Sequence, residues 1–231
     1  MAKIHSLSEL APGWATPLSV ALADLLARGA AMGLLGEAGT AAPGSPAATP
    51  DGRSLARLVQ ALRRHGIGGE ATRALAPLLN NRATASGPTL EALDVPAQQA
   101  LALSLQRLAE AMEDSAAPAA EWPAMRAIFS DETLGALVEV SPASLRRYAG
   151  GERATPQEVA ERLHWLALVV ADLAGAYNDF GMRRWFERPR SQLGGKSPRQ
   201  LLGRGWHVDS EAATRVRALA SVLRGANPLA A

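Results

Sequence analysis

The sequence predicts an all-α fold, and three observations lead to that prediction. Large apolar residues recur three and four positions apart along most of the chain, which is the spacing of one face of an α-helix. No segment alternates apolar and polar residues as a half-buried strand does. Alanine, which favours helix but buries little area, makes up much of the 48% of residues that are hydrophobic. We therefore expect helices packed on helices rather than a sheet core.

Composition limits the classes of protein to which the chain can belong. Its 231 residues leave room for one or two domains, and we expect two. A net charge of +2 and a pI near 9.5 are too mild to establish a polyanionic partner, so the positions of the arginines matter more. The absence of cysteine excludes disulfides and thiolate metal sites and fits a cytoplasmic protein. With no signal-peptide core and no apolar run of ~18 residues, we expect no membrane association.

Residues 1–120 are predicted to form a helical N-terminal module. Helical spacing predicts helices at about 18–35, 53–65, 70–79 and 96–113. The Gly-, Pro- and Ala-rich segment 36–52 is expected to be a flexible loop. The apolar faces of the second and fourth helices contain Leu55, Leu58, Val59 and Leu62, and Leu101, Leu105, Leu108 and Met112. The loop "DSAAPAAEWP", residues 114–123, is the predicted domain boundary.

The remainder is predicted to form two further helical parts, 121–176 and 177–231. Helices are expected near 123–129, 131–138, 142–149, 155–177, 181–187, 197–203 and 209–224. The longest apolar stretch, "LHWLALVVADLAGAY", contains Asp172 and is shorter than a membrane span. We expect it to form a buried helix.

The stretch "DETLGALVEVSPASLRRYAGGERATP", residues 131–156, has the pattern of a helix-turn-helix. Ser141 suits the N-cap and Pro142 the first position of a new helix. Before them, Gly135 is small where two helices must cross closely, and Leu134 and Val138 face the core. After them, the core face continues through Leu145 and Tyr148.

In a helix-turn-helix the second helix enters the major groove, so its solvent-facing polar residues contact DNA. Serine and arginine can bond base edges or phosphates. The predicted DNA-binding residues are Ser141, Ser144, Arg146, Arg147 and Arg153. Arg153, just past the helix, is assigned to phosphate. The alternative is a helical hairpin of the core with no DNA-binding role.

"LGALVEVSPASLRRYAGGERATP" resembles the Xre-type helix-turn-helix, in which "GVS...L.RW..G...P" recurs. Glu139 stands where that family usually has the glycine of the turn. The later segment "YNDFGMRRWFERPRSQLGGKSPRQLL" resembles the toxin-binding region of Xre/MbcA/ParS antitoxins, of the form "W...P...L.G.SP...L". The matching or adjoining positions are Trp185, Phe186, Pro189, Leu193, Gly195, Ser197, Pro198 and Leu202. The final segment "EAATRVRALASVLRG" is similar to the family's closing helix, so the likeness covers roughly 125–226.

The resemblance implies an antitoxin of a type II toxin–antitoxin system. Such a protein represses its own operon and neutralises a RES-domain toxin, an enzyme that consumes NAD, by direct binding. A homodimer is expected because one helix-turn-helix contacts only a half-site. The chain departs from the family at "GRGWHVD", with Trp206 and His207, and in residues 1–120, which have no counterpart there.

Three other interpretations remain open at this point. The helix-turn-helix can be purely structural, with the C-terminal aromatic residues binding a partner protein or simply filling a bundle core. The chain can be a stand-alone DNA-binding regulator without a toxin. Arginine-rich surfaces can also bind DNA without sequence preference.

No pattern in the sequence indicates catalysis. The histidines His5, His65, His164 and His207 lack metal-ligand spacing, and His164 is expected to be a satisfied core or boundary residue. "GGKSP" at 194–198 lacks the upstream glycine and the strand of a phosphate loop, and no GxSxG occurs. We expect no enzyme activity, no cofactor and no metal.

Overall fold

Helices account for all the regular secondary structure in the part of the chain that the computed structural model describes, residues 15–35, 52–80, 95–174 and 176–224. The predicted all-α fold is therefore confirmed. The helices are α1 (Ala15–Ala31), α2 (Gly52–Arg64), α3 (Gly69–Asn80), α4 (Val95–Glu113), α5 (Pro118–Ile128), α6 (Asp131–Val138), α7 (Pro142–Ala149), α8 (Gln157–Ala174), α9 (Asp179–Glu187), α10 (Pro198–Leu202) and α11 (Glu211–Arg224). A turn of 3-10 helix, Ser191–Leu193, lies between α9 and α10. None of these helices could span a bilayer.

The chain divides into two compact units between residues 115 and 116, with residues 30–33 grouped with the second unit. This division falls near the predicted boundary at 120/121. The regions predicted as two separate domains, 121–176 and 177–231, belong to one unit because α8 packs against both α9 and α11. Apart from Gly52, which begins α2, the predicted loop 36–52 lies outside the described residues.

In the first unit, α3 packs against α2 and α4. The apolar residues predicted to face the core are buried, among them Leu58 and Leu62 on α2 and Leu108 and Met112 on α4. After α2, two of the three glycines in "HGIGG", Gly66 and Gly68, adopt positive φ, as a helix-ending glycine does.

Arg28 is a buried cation of the first unit. Its guanidinium donates to the carboxylates of Asp24, one turn earlier on α1, and Glu113 at the end of α4. Burial lowers the pKa of Arg28, but these two partners raise it overall above its usual value. The side chain is therefore charged at every physiological pH, and its charge is compensated inside the unit.

In the second unit, α8 is the central helix, and thirteen of its residues are buried. It packs against α5, α6, α9 and α11. A helix that is apolar on all sides is buried on all sides, which confirms the interpretation of "LHWLALVVADLAGAY" as a core helix. Its buried acid Asp172 accepts a hydrogen bond from Arg217 on α11 at 3.0 Å.

The helix α5 begins earlier than predicted. The sequence predicted a loop over 114–123 and a helix near 123–129, whereas the helix starts at Pro118 and contains Pro123 in its interior. Pro118 is acceptable because the first helical residues have no N–H partner to lose. Pro123 removes one internal hydrogen bond. The helical conformation nevertheless places the side chains of Trp122 and Met125 in the core, where both are almost completely buried. Tertiary packing therefore overrides the local proline signal.

Candidate nucleic-acid interface

The predicted DNA-binding residues lie on or beside α7, and both α7 and the preceding α6 have well-formed starts. The hydroxyl of Ser130 accepts the amide N–H of Thr133 and caps α6. In the same way, the hydroxyl of Ser141 accepts the N–H of Ser144 at 3.1 Å and caps α7. Pro142 occupies the first turn of α7, as the sequence predicted.

The turn between α6 and α7 depends on a close backbone approach. The N–H of Val140 donates to the carbonyl of Gly135 at 2.8 Å. A Cβ atom added at Gly135 would lie 2.7 Å from the carbonyl oxygen of Val140, which is closer than real contacts allow. Gly135 therefore leaves room for the backbone of the turn, whereas the sequence led us to expect a close crossing of two helices there.

Glu139 adopts the left-handed conformation, with φ 60° and ψ 44°, at the position where the resembled family has glycine. It is the one non-glycine residue with positive φ among those the structure describes. The left-handed conformation costs an L-residue roughly 1–2 kcal/mol. The turn therefore forms without a glycine. Contacts made by the side chain of Glu139 must offset the cost of its left-handed conformation.

Those contacts come from the long α8 helix and the loop before α11. One carboxylate oxygen of Glu139 accepts the backbone N–H of Gly205 at 2.5 Å, and the other lies 3.5 Å from the guanidinium of Arg162. The same Arg162 donates to the backbone carbonyl of Trp206 at 2.9 Å. The indole N–H of Trp206 in turn donates to the carbonyl of Leu137 on α6. We name Glu139, Arg162 and Trp206 the turn clamp.

The inner face of α7 is held by apolar and aromatic packing. Leu145 is fully buried, and the ring of Tyr148 stacks on Trp122 of α5 with centroids 6.3 Å apart. The indole N–H of Trp122 donates to the hydroxyl of Thr155 and fixes the segment after α7. With one face anchored, the opposite face of α7 has a defined orientation toward solvent.

That opposite face carries the predicted DNA-binding residues. Ser141, Arg146, Arg147 and Arg153 are exposed, and Ser144 is half-buried. The sequence of α7, "PASLRRYA", contains no acidic residue. The guanidinium of Arg153 lies 5.8 Å from the ring centroid of Tyr148, so the side chain extends back toward α7.

The arginines of α7 differ in their contacts. Arg146 lies 3.5 Å from Asp131 of α6, which is bonded at 2.9 Å to Arg126. An exposed pair of this length contributes little and can be exchanged for another anion. Arg147 has no ion-pair partner within the ranges that the structure describes.

The two serines are partly occupied by capping. The hydroxyl of Ser141 accepts the N–H of Ser144 and donates its own proton to the hydroxyl of Ser144 at 3.0 Å. A hydroxyl has one donor and two acceptor sites, so the proton of Ser144 stays available for a ligand. Ser141 acts first as a helix cap.

The residues predicted to bind a partner protein occupy two different environments. Trp185, Phe186, Leu193, Ser197, Pro198 and Leu202 are buried. Pro189 and Gly195 are exposed, in the loop between α9 and α10. In this structure the buried group forms core, whereas the exposed pair is accessible to another molecule.

Two members of the buried group, Trp185 and Phe186, belong to an aromatic cluster. Their rings meet edge to face with centroids 5.1 Å apart, and Phe186 meets Phe129, the residue that ends α5, in the same way at 5.7 Å. Ser197 caps α10 in a reciprocal capping box with Gln200, which confirms the expected turn and helix cap at "GGKSP".

Sequence reasoning missed the polar partners in the core of the second unit. His164 is buried and its Nδ1 lies 2.7 Å from Glu121, a fully buried acid of α5, so the expected satisfied core histidine is found. The turn clamp was missed as well. An arginine within the most apolar helix, together with an acid at the glycine position of the turn, was the available signal. Among the residues described, no cluster of histidine and carboxylate side chains could hold a metal ion.

No protein-family model, no curated protein and no solved structure matches this chain. The resemblance to the antitoxin family therefore depends on the motif positions in the sequence alone.

Proposed function

We propose that the second unit binds double-stranded DNA through the outer face of α7. The observation that supports this proposal is the division of α7 into two faces. Leu145 is fully buried, while its neighbours Arg146 and Arg147 are exposed on a helix that carries no acid. Charged groups arranged in this way are available to phosphates and to base edges.

Each residue of the face has a chemical role in the proposal. Arg146 and Arg147 present planar guanidinium groups that can contact guanine O6 and N7 or a phosphate. The hydroxyl proton of Ser144 can reach a base edge or phosphate, and Ser141 maintains the start of the helix that carries all three. Arg153, beyond the C-terminal end of α7, contacts phosphate. We further propose a homodimer, since one such helix covers one half-site.

Fluorescence anisotropy with the DNA upstream of the gene tests this proposal. We expect the double substitution Arg146→Ala plus Arg147→Ala to weaken binding by at least ~30-fold, because each arginine contributes about 1–3 kcal/mol. The matched control is Arg63→Ala plus Arg64→Ala, an adjacent exposed pair at the end of α2 that removes the same charge. Equal losses in the two variants would exclude a specific role for α7, as would unchanged binding in the α7 variant.

A second proposal follows from the resemblance: the chain neutralises a RES-like toxin by direct binding and represses the operon that encodes both. The structural feature that favours a contact surface is the exposed loop between α9 and α10. The amide N–H groups of Arg190 and Gly195 donate to the carbonyls of Lys196 and Arg190, at 3.0 and 2.9 Å, which closes this loop. A preformed exposed loop binds at low entropic cost.

Co-expression with the product of the neighbouring gene tests the antitoxin proposal. We expect co-purification of the two proteins and loss of the complex in Pro189→Asp, which places a charge on the exposed loop without entering the core. The control is Ala102→Asp, which places the same charge on the exposed face of α4. If the neighbouring protein is harmless when expressed alone, the antitoxin role is wrong.

A further inference from the structure

A groove of about 360 Å³ lies between α9 and the loop that follows it. Its lining includes Arg184, Trp185, Arg188, Arg190 and Ser191. The volume is within the range of small-molecule sites, about 300–1,000 Å³. We name it the arginine groove; it shares no residue with the outer face of α7.

The cations of the arginine groove are not compensated by the protein. Within the part of the chain that the structure describes, Arg184, Arg188 and Arg190 form no ion pair, and the neighbouring acid Glu187 is bonded to Arg199 at 2.8 Å instead. Arg184 and Arg188 are four residues apart, where like charges on a helix repel each other. An anion in the groove would relieve this repulsion.

Two buried donors at the groove also lack acceptors. Trp185 is 1% exposed, and its indole N–H has no hydrogen-bond partner among the described residues. The Nε–H of Arg190 is likewise buried without a partner, and its guanidinium lies 4.9 Å from the ring centroid of Trp185. Buried donors are normally satisfied. The exposed guanidinium groups of Arg184 and Arg188 are the lining donors that a ligand can reach, and they are suited to one that offers acceptor oxygens.

The groove is also held in shape by its own backbone. The carbonyl of Arg190 accepts the N–H groups of Leu193 and Gly195, and its N–H donates to the carbonyl of Lys196. Gly194 and Gly195 both adopt positive φ, which lets the loop return on itself. The backbone of Arg190 is thus fixed at both groups, and its guanidinium is positioned by packing over the ring of Trp185.

We propose that the arginine groove binds an oxyanion of the phosphate class. A phosphate offers several strong acceptor oxygens and a charge that three guanidinium groups can share, and arginine binds it through paired N–H donors. The phosphate can belong to a small phosphate ester or to the backbone of bound DNA. The two sources share one chemistry and are separated by the experiment.

Isothermal titration calorimetry of the full chain with inorganic phosphate forms the first arm, and anisotropy with upstream DNA forms the second. The test variant is Arg184→Gln plus Arg188→Gln, since both side chains are exposed and their loss spares the packing of Arg190 on Trp185. A second variant, Arg190→Lys, keeps the charge and removes the planar fork. The control is Arg204→Gln, an exposed arginine outside the groove.

We expect one phosphate per chain, with affinity reduced at least ~10-fold in the double variant, as for loss of a charge-assisted hydrogen bond. Arg190→Lys should weaken binding as well, and Arg204→Gln should leave it unchanged. If only DNA binding falls in the groove variants, the phosphate is that of the DNA backbone. If groove and control variants behave alike in both arms, the proposal is overturned. Failure of the α7 variants to affect DNA leaves the phosphate arm intact, so the two proposals fail separately.

Discussion

The α6–α7 and α9–α10 regions of the second unit begin a helix with the same dipeptide but differ in what they expose. Ser141–Pro142 starts α7 at the surface, and Ser197–Pro198 starts α10 in the interior. Along α7 the residues singled out from the sequence are mostly exposed arginines. Along α9 and α10 they are mostly buried aromatic and aliphatic residues.

The difference teaches that residue type decides which part of a motif can be a contact surface. A guanidinium is expensive to bury without a partner, so a motif arginine stays accessible. A tryptophan or phenylalanine stabilises the folded state most when it is buried. The aromatic residues of a motif are therefore expected to be part of the core first. The residues of the C-terminal motif are therefore mostly scaffold, and its loop between α9 and α10 is the part that stays exposed.

The largest expected effect is the loss of Phe186. We expect Phe186→Ala to lower the free energy of unfolding by about 3–5 kcal/mol, because a fully buried ring against Trp185 and Phe129 leaves a cavity. Urea unfolding followed by tryptophan fluorescence measures it, since Trp122, Trp165, Trp185 and Trp206 all lie in the second unit.

The matching substitutions on α7 should behave in the opposite way. Arg146→Ala and Arg147→Ala should each change the free energy of unfolding by less than about 0.5 kcal/mol, as surface substitutions do, while weakening DNA binding. A Phe186→Ala protein as stable as the wild type would break the comparison, because the ring would then be an interface anchor rather than core.

Arg162 holds the turn between α6 and α7, and its loss has the next largest expected effect. We expect Arg162→Met to cost about 3 kcal/mol, since the carboxylate of Glu139 and the carbonyl of Trp206 lose their shared donor. DNA affinity should fall with stability because the clamp holds the turn before α7. The control is Arg199→Met, which breaks the exposed pair with Glu187 and should cost under about 1 kcal/mol. Similar losses in the two variants would contradict a structural role for the clamp.

The two serine caps allow the two regions to be compared through the same type of substitution, serine to alanine. We expect Ser141→Ala to cost about 1 kcal/mol and Ser197→Ala about 2 kcal/mol, the middle and upper parts of the range for caps. The reason is burial: Ser197 is 1% exposed and its box with Gln200 satisfies two amides, whereas water can replace the hydroxyl of Ser141. Chemical denaturation of both variants measures the loss in unfolding free energy. Equal losses would show that burial of the cap does not affect its contribution to stability.

The helices themselves could be predicted because their signals are local. The spacing of Leu101, Leu105 and Leu108, and the caps at Ser141 and Ser197, are contained within a few residues of each helix. The orientation of α7 followed from Leu145 alone, since burying it turns the adjacent arginines outward. Local periodicity carries this much information.

What could not be predicted depends on residues far apart in the chain. Arg162 and Trp206 are separated by 44 positions, and His164 and Glu121 by 43. Neither partner alone indicates the other, because a polar residue within an apolar helix can be satisfied by many groups. Pro123 misled the boundary of α5 for the same reason, since the packing that overrides it comes from elsewhere in the unit.

The smallest expected effect is the difference in stability between two substitutions of Glu139, the left-handed residue of the turn. Glu139→Gly and Glu139→Ala both remove the carboxylate that accepts from Gly205 and pairs with Arg162, so both should be destabilising. Only glycine adopts positive φ without strain, so we expect the alanine variant to be less stable than the glycine variant by about 1 kcal/mol. Equal stabilities, measured by urea unfolding, would mean that the turn leaves the left-handed conformation once the side chain is gone.

The same pair of variants in an Arg162→Met background separates backbone strain from the clamp. Without Arg162, the carboxylate has lost its buried cation, so replacing Glu139 should cost less than in the wild type, while the difference between glycine and alanine should persist. Backbone strain belongs to residue 139 alone, whereas the clamp contact needs the side chains of both Glu139 and Arg162. The coupling free energy between substitutions at these two positions therefore measures the clamp contact and not the strain. A difference between glycine and alanine that vanished in this background would show that the clamp itself imposes the left-handed turn before α7.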